Sequence, residues 1–78
     1  MSKAQDIKED MEVLGSDGAH VGKVDHLEGS DKIKLAKNDA KAGGQHHIIP
    51  LAWVDHVDAH VHLSKSSQDV QKQWQTAA

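Results

Sequence analysis

Seven of the 78 residues are histidine, and five of these, His46, His47, His56, His60 and His62, crowd one stretch. Imidazole binds transition metals through a neutral nitrogen and changes charge near neutral pH. The two chemistries open to the cluster are therefore metal ligation and a proton-sensitive surface. His60-Val61-His62 is the workable pair, because residues two apart on a strand share a face and His-x-His suits zinc, nickel or copper. A third ligand has to come from another element. His46 and His47 point to opposite faces of their strand, so at most one of them can join. The expected metal set is His46, His60 and His62, with zinc or nickel as the ion. Against it stands a plainer reading, in which the histidines are solvated positions on a half-exposed sheet, paired locally with Asp25, Asp55 or Asp58. The plainer reading takes precedence, since no cysteine or acidic ligand stands at a strong metal spacing.

Other chemistry is thinly represented. With no cysteine, there is neither a disulfide framework nor a thiolate site, and any metal must use nitrogen and oxygen ligands. Ser64, Ser66 and Ser67 read as helix caps rather than nucleophiles. Asp55 and Asp58 flank a turn as solvated carboxylates. No acid, base and oxyanion set converges, so an enzyme is not expected. Asp17-Gly18 lacks the alternating oxygen ligands of a calcium loop. Gly43-Gly44-Gln45 matches the release-factor tripeptide but reads here as a flexible connection. Lys32, Lys34 and Lys37 form a basic stripe that protects a sheet edge, with RNA or ribosome contact as a weaker alternative. The net charge of −3 opposes phosphate-backbone binding, and Trp53 and Trp74 are too few for a stacking platform. No apolar run is long enough to span a membrane. The first residues, Met1 to Asp6, lack the apolar core of a signal peptide, so a cytoplasmic location is expected.

The elements that must position these residues are short. Residues 1–5 fray, and Asp6 caps a turn through Met11 with Ile7 and Met11 four apart. Glu12-Val13-Leu14 and His20–Leu27 form a hairpin around Gly15-Ser16-Asp17-Gly18, where Asp-Gly supplies positive φ. Gly22 marks a bulge or a close approach of another segment. A third strand follows at Ile33–Lys37, then a polar loop at Asn38–Gln45. His46–Ile49 is the fourth strand, ended by Pro50. Leu51-Ala52-Trp53 makes a tight turn before a last hairpin, Val54–Val57 and His60–Leu63. That hairpin admits two registers. A two-residue turn sets Asp55 opposite His62. A three-residue turn pairs Val57 with Val61 and His56 with His62, burying aliphatics more consistently but asking His60 for an unusual turn conformation. A terminal helix at about 66–75, capped by Ser64–Ser67, carries Val70 and Trp74 as one apolar stripe, and Gln75–Ala78 frays.

Glu12-Val13-Leu14-Gly15-Ser16-Asp17-Gly18-Ala19-His20-Val21-Gly22-Lys23-Val24 resembles the opening hairpin of PRC-barrel-like domains. His47-Ile48-Ile49-Pro50-Leu51 and Val61-His62-Leu63 are similar to their later strands, and the likeness spans roughly residues 7–66. It points to a small bacterial branch of stand-alone proteins of unknown function. The resemblance implies a mainly β fold, a small six-stranded β-barrel at about 7–64 with a short C-terminal helix, as one domain. Such domains dock or regulate in a photosynthetic reaction-centre subunit and a ribosome-maturation factor, and no catalytic set travels with the fold. The expectation is therefore a non-enzymatic interaction or regulatory module with an unknown protein partner. Val70 and Trp74 are the expected partner contact, and the helix either caps its own barrel or builds a homodimer. The alternative is a His-mediated transition-metal-binding protein.

Overall fold

The computed structural model describes residues 3–39 and 42–77. The fraying expected at residues 1–2 and 78, and Ala40 and Lys41 of the expected loop, lie outside them. A 3-10 turn, Lys3–Asp6, leads into seven strands: β1 Glu12–Leu14, β2 His20–Glu28, β3 Lys32–Leu35, β4 His46–Pro50, β5 Val54–Val57, β6 Val61–Leu63 and β7 Gln75–Ala77. Helix α1 spans Ser67–Gln73. The first turn thus sits earlier than Asp6–Met11, and Asp10 closes the approach to β1 with φ 67°.

All seven strands join one sheet in the order β5-β6-β1-β2-β3-β4-β7. Six match the expected strands to within two residues. The sheet ends at β5 and β7 and is not closed. The seventh strand arises where fraying was expected. Trp74 leaves the helix in extended conformation, ψ 153°, and Gln75–Ala77 then pairs with His46–Ile48 along an edge of β4 that would otherwise carry unpaired amides.

Strand parity builds the core. Val13, Ile33, Leu35, Ile49, Val61 and Leu63 alternate with outward residues and are all but inaccessible. In β2 the register steps from Val13↔Gly22 to Leu14↔His20, so Val21 is an extra residue beside Gly22. This bulge shifts parity and lets both Val21 and Val24 face the core. The first half of β2 pairs with β1 and the second with β3, so one long strand carries the bend of the sheet.

Parallel pairing of β1 with β6, Val13↔Val61 and Leu14↔His62, joins the first strand to a late one. The helix is fastened to that seam. Ser66 caps it by accepting the Asp69 amide at 3.2 Å. Asp17 of the β1–β2 turn accepts from Ser67 N–H at 3.3 Å and Ser67 Oγ at 3.0 Å. Gly15 permits the approach, since a Cβ there would stand 2.5 Å from Ser67 N. Val70 is fully buried in the core.

The basic stripe is not at an edge. β3 is paired on both sides, by β2 and β4, so Lys32 and Lys34 occupy an interior strand and Lys37 lies beyond its end. Among the described residues no helix is long and apolar enough to cross a membrane.

Candidate metal centre on the β5–β6 hairpin

The last hairpin takes the three-residue turn, with Val57 opposite Val61 and His56 opposite His62. Burial decides this: Val54, Val61 and Leu63 then all face the core. His60 needs no positive φ, because Asp10 alone among the described non-glycine residues has one. The Asp58 side chain does the turn's work instead. Its Oδ1 accepts the His60 amide at 2.9 Å, while the Asp58 amide donates to the His60 carbonyl at 3.0 Å. This is an Asx turn, in which a carboxylate mimics a backbone turn.

The same oxygen accepts from Nε2 of His62 at 2.9 Å. Across the strand the rings of His56 and His62 stack, centroids 4.3 Å apart and planes 10° from parallel. His56 Nδ1 is held by Asp55 Oδ2 at 2.7 Å, which leaves Nε2 as its ligand atom. One ligand atom each from His56, Asp58 and His62 falls within 4.8 Å of the other two. The His60 amide and the His62 imidazole hold the Asp58 carboxyl below its usual range, against a smaller opposing effect of burial. Asp58 therefore stays anionic to lower pH than an ordinary aspartate.

The donor set suits a borderline divalent ion such as zinc or nickel. Such an ion would be held by His62 Nε2 and Asp58 Oδ1, which lie 2.9 Å apart. His56 is exposed and would supply the third donor. The Asp55–His56 bond is the carboxylate–imidazole pairing that fixes tautomer and ring orientation in metal sites.

The expected set His46, His60 and His62 is not assembled. His46 lies on β4, separated from β6 by three intervening strands in the sheet order, and its Nδ1 donates to the Leu35 carbonyl at 2.9 Å. His60 sits in the turn rather than on β6, with its ring edge-on to His62 at 6.3 Å. Its Nδ1 is shielded from solvent, makes no hydrogen bond, and lies 3.5 Å from Glu12 Oε1. His56 and Asp58 supply what His46 and His60 do not. His56 was legible from the aliphatic pattern that favours the three-residue turn. The signal for Asp58 was an aspartate at the first turn position.

Elsewhere the histidines pair locally. His26 meets Asp25 at 2.6 Å. His20 bridges Glu12 at 2.8 Å and Asp39 at 2.7 Å, an arrangement that spacing alone did not indicate. Burial opposes the charged form of His20, but those two carboxylates outweigh it and raise its pKa above the ordinary value. His47 and His46 do face opposite ways, and His47 is buried. It donates from Nε2 to the Ala42 carbonyl at 2.9 Å and accepts at Nδ1 from Thr76 Oγ1 at 3.3 Å. The apolar stripe of α1 turns onto its own chain, with Val70 in the core and Trp74 against His47.

None of the curated proteins compared with the chain matches it. A family described as an uncharacterized protein conserved in bacteria, DUF2171, matches residues 7–71. The match runs from Ile7, the first core residue, through the hairpin that carries His56, Asp58 and His62 to the helix stripe at Val70, and the chain belongs to that family.

Proposed function

We propose that this domain is a non-catalytic binding module whose ligand is a divalent transition-metal ion, held by His56, Asp58 and His62. The observation that carries the reading is the convergence of two imidazoles and a carboxylate within 4.8 Å, on a hairpin whose register is fixed by core burial. One further feature supports it: the Asp55–His56 bond presets one ligand. The likeness of the 12–24 hairpin to PRC-barrel domains favours binding over catalysis, although likeness of fold is a weaker warrant than the site.

Calorimetric titration with zinc and with nickel, alongside amide NMR spectra, tests the reading. One ion per chain is expected, with the largest shifts at residues 55–62. The double variant His56→Ala with His62→Ala should bind at least tenfold more weakly and keep the wild-type spectrum elsewhere. Affinity weaker than about 1 mM, or unchanged in the double variant, rejects it.

A further inference from the structure

Strand parity on β4 turns His47 and Ile49 inward and leaves Ile48 and Pro50 on the outer face. Apolar residues thus stand where a half-exposed sheet ordinarily carries polar ones. Register sets Lys32 of β3 beside Pro50, and Gln75 of β7 beside Ile48. Trp53, in the turn after Pro50, and Gln73, the last residue of α1, complete a pocket of about 100 Å³. Its wall is apolar at Ile48, Pro50 and Trp53 and polar at the other three positions.

The pocket reverses the sign of the chain's net charge of −3. No acidic residue lines it, and Lys32 is its one ionised group. The carboxylates best placed to neutralise Lys32 are turned elsewhere. Glu28, its cross-strand partner, lies 3.8 Å from Nε2 of His26. The Asp31 carboxylate folds toward Gly29, 3.9 Å from where a Cβ there would stand. Among the described residues Lys32 has no ion pair. Lys65 adds a second positive charge, its ammonium 5.2 Å from the Trp53 ring centroid.

We infer that this pocket receives the C-terminal residue of a partner protein, with an aliphatic side chain inside it and the α-carboxylate on Lys32. Size selects the side chain. An apolar cavity of about 150 Å³ holds benzene, so a smaller one holds about four carbon atoms, those of a leucine or isoleucine side chain. Small-molecule sites span about 300–1,000 Å³, so only the end of a larger molecule enters. Charge selects the carboxylate. Lys32 lines the pocket itself, so the carboxylate must lie close to the aliphatic group. In a C-terminal residue a single carbon joins the two. The exposed amides of Gln73 and Gln75 can donate to the second oxygen or accept the last peptide N–H. Capture of a chain-terminal carboxylate is a recurring mode of peptide recognition. None of His56, Asp58 and His62 lines the pocket, so its occupancy does not require the ion.

The probe is the peptide acetyl-Ala-Ala-Leu with a free terminal carboxylate, titrated into isotope-labelled protein and followed by NMR. A saturable shift is expected at the Trp53 indole and the Gln73 and Gln75 side-chain amides, with Kd of about 1 mM or tighter. The same peptide as its carboxamide should bind about tenfold more weakly. Isocaproate keeps the carboxylate and the aliphatic group but lacks the peptide, and should bind at least about threefold more weakly. Lys32→Gln and Gln75→Glu alter exposed positions and should keep the melting temperature within about 4 °C of wild type. Each should weaken the free-carboxylate peptide about tenfold. Affinity weaker than about 1 mM, equal affinity for acid and carboxamide, or undiminished binding in both variants overturns the inference. Isocaproate binding as tightly as the peptide also overturns it, because the ligand is then a free small acid rather than a chain terminus.

Discussion

His47 and Trp74 stack face to face, ring centroids 3.8 Å apart and planes 9° from parallel. The contact joins the end of α1 to β4 and starts β7 in register, with Thr76 opposite His47. Trp74 thus belongs to the chain's own fold at the residue where the helix stops. Trp74→Ala should cost about 2 kcal/mol, less than a fully buried tryptophan, and lower the melting temperature by about 8–16 °C. Amide exchange should rise at residues 75–77 before it rises in β3. An unchanged melting temperature would mean that the stack contributes nothing and that β7 holds through its backbone pairing.

His20 gives the alkaline side of the stability profile a defined sign. Its folded-state pKa is raised, so the folded protein holds the proton more tightly than the unfolded chain. That stabilisation is complete below the unfolded value of about 6.5 and declines as pH rises through the folded value. The melting temperature should therefore fall above about pH 6.5, and Glu12→Gln should weaken the dependence. An NMR titration of the His20 ring should give a midpoint above the ordinary histidine range, lowered in Glu12→Gln.

Asp17 and Asp58 set the acidic side. Both pKa values are depressed, Asp17 first by the Ala19 amide, against burial, with further help from Ser67, and Asp58 first by the His60 amide. Their contributions are present above the unfolded value near 3.8 and are lost as pH falls through the folded values. Asp17→Asn should lower stability at neutral pH and flatten the acid limb of the melting curve. Equal losses at pH 2 and pH 7 would show that the carboxylate charge is immaterial there.

Gly15 tests the fit between the β1–β2 turn and the helix. A Cβ placed 2.5 Å from the Ser67 backbone nitrogen forces one of them to move. Gly15→Ala should cost about 1–3 kcal/mol, with NMR shifts concentrated at residues 65–69. A neutral substitution would show that the helix start is free to slide.

Asp55 touches His56 and is not one of the three ligands. Asp55→Ala should leave the stoichiometry of metal binding unchanged and weaken affinity about 10–100-fold. It should also shift the pH at which half-maximal binding is reached, because the imidazole loses the group that fixes its tautomer. A fall in stoichiometry would assign Asp55 to the ion itself.

The strands were legible because apolar residues alternate with polar ones in β3 and β6, because aliphatic residues mark β1 and β4, and because Asp17-Gly18 and Pro50 mark where the chain turns or a strand ends. β7 was not, because Gln75-Thr76-Ala77 has no apolar alternation. It becomes a strand through the open edge of β4, a tertiary cause that local sequence does not encode. The site was half legible. Two-residue spacing drew attention to His60 with His62, yet His60 is spent on the turn. His56 reaches His62 through a register that depends on Val57 and Val61. Asp58 enters by folding its side chain back over three residues. Ligands gathered by a turn leave a weaker mark on spacing than ligands gathered along one strand.

The parallel seam between β1 and β6 also orders events in time. Val13 and Val61 are partners across it, yet most of the chain separates them. During synthesis, β1 and β2 can close as a hairpin early, while the other edge of β1 waits for β6. Its unpaired amides are exposed throughout that interval, when strand edges recruit unwanted neighbours. Contacts this distant along the chain slow folding. A ribosome-bound chain halted before Val61 should therefore aggregate, and one extended past Leu63 should resist protease at the seam.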